Sequence, residues 1–172
     1  MKGFILGSQS RYVTEDLAGS LAAARDYEAI FRLVKRVVEE RLGIRRAGLM
    51  LIIADAPTGV LAYHEVGSNA IVLNRRHLEP WLAGKSREDA NSYIFVLLLH
   101  EYLHSLGILD EGEVRRLVKT LVNSYLGPEH MATKIARGGH LLSAMPETPL
   151  AGGPGRAIIV KDFDTENTTY IG

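Results

Sequence analysis

The sequence has 172 residues, enough for one domain with a hydrophobic core. Lys+Arg and Asp+Glu are both 20, so the formal net charge is zero and gives no electrostatic reason to expect a nucleic-acid or anionic-membrane partner. Cysteine is absent, which excludes disulfides, thiolate metal sites and a cysteine nucleophile; any transition metal must be held by His, Asp or Glu.

In chain order, residues 2–6 of "MKGFILGSQS" read as a short strand. That apolar run is too short for a secretion signal, and no run is long enough to cross a bilayer, so the expected location is cytoplasmic with no membrane partner. Residues 14–42 read as one helix. Thr14 can cap it, an apolar stripe runs from Leu17 and Leu21 to Val37 and Val38, and Gly43 stops it. "AGLMLIIAD" before Pro57 has the pattern of a buried strand. "TGVLAYHEV" is a second strand candidate and "AIVLN" a third, joined through Gly67-Ser68-Asn69.

The longest helix follows. Ser86 and Asp89 resemble a capping box, the apolar run continues through "NSYIFVLLLHEYLHSL", and Gly107 stands where a left-handed residue is wanted. "EGEVRRLVKTLVNSYL" is a further amphipathic helix ended by Gly127-Pro128, and a short helix is expected within 129–137. Gly138, Gly139, Pro146, Pro149 and "AGGPG" make the next part irregular, before a strand-like "RAIIVKDF". The order implies an α+β single domain over residues 1–150, with a tail at 151–172 that packs on the domain or covers its cleft.

The chemistry concentrates in "HEYLHSLGILDE", residues 100–111. His100 and His104 are four apart on a helix, so both imidazoles can reach one ion from one face. Glu101 projects differently and can reach a water without ligating the ion. With 6 His in the chain, chance would supply this pattern only about 0.015 times. A catalytic zinc wants a third protein ligand. Asp110 is the leading choice and His130 the alternative. Asp110 followed by Glu113 is also a good helix N-cap, and in that case the ligand must come from Glu111, Glu113, Glu129, His130, His140 or His64.

The motif H-E-x-x-H resembles that of the zincin zinc metallopeptidases. The order of elements over residues 14–110 is similar to theirs: a backing helix, a twisted mixed sheet with an antiparallel edge strand, and an active-site helix. The resemblance implies Zn²⁺ on His100 and His104, Glu101 as general base, and a peptide or protein substrate pairing with an edge strand at Gly59, Val60, Leu61, Ala62 and Tyr63. "HEYLHSLGILD" also resembles the metzincin pattern with Asp at the last ligand place, as in snapalysin-like enzymes, where Met145 in "LLSAMPETP" would form the methionine turn. A minigluzincin-like arrangement, with the ligand on a later helix and a latency-conferring tail, is the alternative. On that comparison, deletion of residues 151–172 would raise activity. Tyr125, His130 and His140 are candidate oxyanion donors. A metal-binding module without turnover and a zinc hydrolase of non-peptide substrates are the competing functions.

Overall fold

The computed structural model describes residues 17–57, 59–138 and 157–165. The strand expected at residues 2–6, the Thr14 cap, His140 and Met145 lie outside these residues. Within them the chain is an α+β domain: helix α1 over residues 17–23, α2 Tyr27–Leu42, β1 Met50–Ala54, β2 Ala62–His64, β3 Ala70–Asn74, α3 Arg75–Leu82, α4 Arg87–Ser105, α5 Glu111–Leu126, α6 Met131–Arg137 and β4 Ile158–Val160.

The helix expected over 14–42 is two helices. The chain turns at Ala24–Asp26, and Asp26 then caps α2 by accepting the Ala29 amide at 2.8 Å. The break is stabilised from outside: the buried Asn91 of α4 donates to the carbonyl of Leu21 (2.8 Å), which also accepts the Ala24 amide at 3.3 Å, and to that of Ala24 (2.9 Å). Apolar periodicity continues across the turn, so the pattern alone did not reveal it. Helix α3 was also unforeseen because Pro80 lies inside it. Asn74 caps it through the Arg76 amide, and its amide group donates to the Val60 carbonyl at 2.7 Å, fixing the loop that enters β2.

The sheet order is β2-β3-β1-β4. β1 and β3 are parallel, whereas β2 and β4 are antiparallel to their neighbours, so the sheet is mixed. Of the strand expected over 58–66, only Ala62–His64 pairs, and it forms one edge. On the core face, Leu51 and Ile71 are fully buried, as is Leu73. Helix α4 packs between this face and helices α2, α5 and α6, and every residue from Asn91 to Leu103 is buried. A helix apolar on all sides is the form such burial requires.

The tail segment joins the far side of the sheet. β4 pairs with β1, at the edge opposite β2. Phe163 stacks on Phe31 of α2 (ring centroids 4.3 Å apart), and Asp164 forms a buried ion pair with Lys35 at 2.6 Å while accepting the Leu49 amide at 3.2 Å. Of the tail expected to pack on the domain or cover its cleft, the described residues 157–165 pack on the domain; deleting residues 151–172 removes a strand, a core aromatic and a buried counter-ion, and its expected result is loss of folding.

Removing one member of a desolvated ion pair leaves the other charge without compensation. Asp164→Ala is expected to destabilise the fold by about 3–5 kcal/mol in denaturant titrations, and Lys35→Met with Asp164→Leu to recover most of that loss. Equal stability of Asp164→Ala and the parent would show that the pair does not anchor this segment.

Candidate metal centre

The site forms at the C-terminal end of α4, where the helix leaves the core. His100 and Glu101 are buried, and His104, one turn later, is half-buried. The helix ends at Ser105 with Leu106 as its C-cap, and Gly107 adopts φ 92, a conformation that favours glycine. The chain thereby folds back, and the Ile108 carbonyl accepts the Nδ1 proton of His104 at 2.8 Å. Three residues later α5 begins. Asp110 caps it by accepting the Glu113 amide at 2.7 Å, and Glu111 occupies its first turn.

The side chain facing the histidines is therefore Glu111, one residue beyond the expected Asp110. His100, His104 and Glu111 form a group that could hold a metal ion, with one candidate ligand atom from each lying within 4.8 Å of the others. Glu111 Oε1 is 3.1 Å from His100 Nε2, Glu111 Oε2 is 3.0 Å from His104 Nε2, and the two Nε2 atoms are 3.2 Å apart. Asp110 is not in this group, because its carboxylate serves the helix terminus. The sequence left this choice open, since both residues are acidic and follow the glycine. The helix register places Glu111 toward the imidazoles.

The other candidates lie elsewhere. His130 caps α6, its Nδ1 accepting the Ala132 amide at 3.1 Å, and the acids that influence it are Glu88 and Asp89 at the start of α4. Helical rise puts that end about 18 Å from His100. Burial is the sole cause that lowers the His130 pKa, and the two acids oppose it. Tyr125 is influenced by Glu40 of α2, so it does not serve this cleft; burial, then Glu40, raises its pKa. Glu129 pairs with Lys134. His64 lines the cleft, and its Nδ1 donates to the Ala70 carbonyl at 2.9 Å.

The hydrogen bonds fix the polarity of the group. A neutral His104 spends its only proton on Ile108, so its Nε2 presents a lone pair. That lone pair faces a carboxylate oxygen at 3.0 Å and a second imidazole nitrogen at 3.2 Å. Acceptors facing acceptors at this range require a proton or a cation among them. Nδ1 of His100 is buried with no hydrogen-bond partner among the described residues. Burial lowers the His100 pKa, and the Glu111 charge opposes this. For Glu111, burial alone would raise the pKa, but His100, a bond from Arg115 and the adjoining His104 together hold it below the ordinary carboxylate value.

Glu101 behaves differently. Burial, reinforced by the negative Glu111, pushes its pKa up to about 8, and a hydrogen bond from the His64 backbone opposes the shift. It lies beside the imidazoles but outside the three-residue group. All of these side chains open onto a cleft of about 490 Å³ bounded on one side by residues 59–64, so Gly59, Val60, Leu61, Ala62 and Tyr63 form its wall. Only Ala62 and Tyr63 of these belong to β2. Comparison with protein families, curated proteins and solved structures found no match for the chain.

Proposed function

We propose that the chain is a zinc-dependent metallopeptidase in which His100, His104 and Glu111 hold the ion and Glu101 is the general base. The observation that carries this reading is the convergence of two imidazole Nε2 atoms and a carboxylate on one point, with a second, buried carboxylate adjacent but outside the group. The donor set suits zinc. Zinc–nitrogen bonds of about 2.0–2.1 Å at a tetrahedral angle put two nitrogens about 3.3 Å apart, close to the 3.2 Å between His100 and His104. Three protein ligands leave one position open, as a catalytic site requires and a closed structural site does not.

When bound there, zinc would supply Lewis acidity, easing loss of a proton from water and polarising the carbonyl to be attacked. The protein's own groups would do the rest. His104 is held in the ligating tautomer by its bond to Ile108. Glu101 accepts the proton of the attacking water and passes it to the departing amine. Its burial makes it a strong enough base for the first transfer and a good enough acid for the second, since its pKa sits near neutrality. The antiparallel strand β2 offers an extended peptide the side on which it has no partner among the described strands.

Glu101→Gln is expected to retain one zinc per chain and lose about 10²–10⁴-fold in turnover of a fluorogenic peptide or casein. If the zinc-loaded parent cleaves neither, the peptidase reading fails. The ligand assignment has its own test. Glu111→Gln should weaken zinc binding by more than about 100-fold, since loss of outer-shell partners alone costs about 10–100-fold. Asp110→Ala should keep zinc affinity and lose about 1 kcal/mol of stability as a missing N-cap. The reverse pattern, measured by calorimetric zinc titration and thermal unfolding, would return the third place to Asp110.

A further inference from the structure

The cleft contains one lysine or arginine among its described lining residues, Arg115. It stands one helical turn beyond Glu111 on α5, and its Nε donates to Glu111 Oε1 at 3.0 Å. Its side chain is 45% exposed, and its two terminal nitrogens make no hydrogen bond among the described residues. Three exposed apolar side chains, Tyr63, Val66 and Leu109, line the same cleft.

A guanidinium presents its donors as a planar fork that matches a carboxylate with two parallel bonds. On a helix surface, an i,i+4 pair with Glu accounts for the Nε contact. It does not occupy the rest of the fork. Among the described residues Glu111 is also the only acid in contact with Arg115, and the same carboxylate faces both histidines. If Glu111 turns its lone pairs to a cation, little of its charge is left to neutralise the guanidinium. A positive group with free donors then borders the reacting centre, in a cleft that Tyr63, Val66 and Leu109 also line.

We propose that Arg115 is a specificity-determining residue that selects peptides carrying a carboxylate next to the bond to be cleaved. This rests on the peptidase reading and names its substrate class. The carboxylate can be the free C-terminus of the peptide or an Asp or Glu side chain, and the two sources share the same recognition chemistry.

Zinc-loaded Glu101→Gln protein allows binding to be measured without turnover. Calorimetric titration would use one short apolar peptide in three forms: the C-terminal acid, the C-terminal amide, and the amide with one internal Glu. At least one charged form is expected to bind about 10-fold more tightly than the neutral amide, the gain typical of a charge-assisted pair. With zinc at a saturating concentration, adding Arg115→Gln should abolish that difference, and Arg115→Lys should keep part of it. Which charged form gains identifies the source of the carboxylate. Equal binding of all three peptides to the parent, or an equal loss for all three on Arg115→Gln, overturns the assignment while leaving the peptidase reading intact. Binding of none of them by protein that holds one zinc overturns both.

Discussion

The burial of α4 on all sides is the constraint from which the rest of the molecule follows. Helices α2, α5 and α6 and one face of the sheet are arranged around it. Such a helix tolerates polar groups only where something answers them. Its start is answered by Ser86, which accepts the Asp89 amide, and Asn91 is used to terminate a different helix. At its far end, Tyr102 exchanges hydrogen bonds with the Arg46 backbone, and the Arg46 side chain donates to the carbonyls of Ser105 and Ser68. Arg46 therefore ties the end of α4 to the turn between β2 and β3. His100 and Glu101 lie between these two well-satisfied ends, where the helix emerges beside the sheet edge.

The same burial separates the two carboxylates. Glu101 is enclosed and its pKa is driven up to about 8, whereas Glu111, exposed at the start of α5, bonded by Arg115 and next to the imidazoles, stays below the usual range. Two acids in one cleft with opposed shifts have environments suited to opposite tasks, one as a proton carrier and one as a fixed anion. Their difference comes from position on the fold.

Much of this was readable from residue order. Capping chemistry marked the starts of α4 and α5 correctly at Ser86 and Asp110, because a cap is a local interaction spanning three residues. β3 was also evident, as an apolar run bounded by a turn. The break between α1 and α2 was not, since its stabilising partner Asn91 is far along the chain. For the site, the spacing of His100 and His104 gave the shared face. Choosing between Asp110 and Glu111 required knowing which of two neighbouring acids the helix terminus would claim. That depended on the angle at which α5 leaves the Gly107 turn, a property of packing.

The three candidate ligands all come from the stretch 100–111, one helix end and the turn after it. Their assembly therefore closes only a short loop. The environment of Glu101 is the opposite case, because the hydrogen bond it receives comes from His64, on a strand far earlier in the chain. The candidate ligands are thus gathered within one short segment, whereas the setting of Glu101 depends on a residue far away in the sequence.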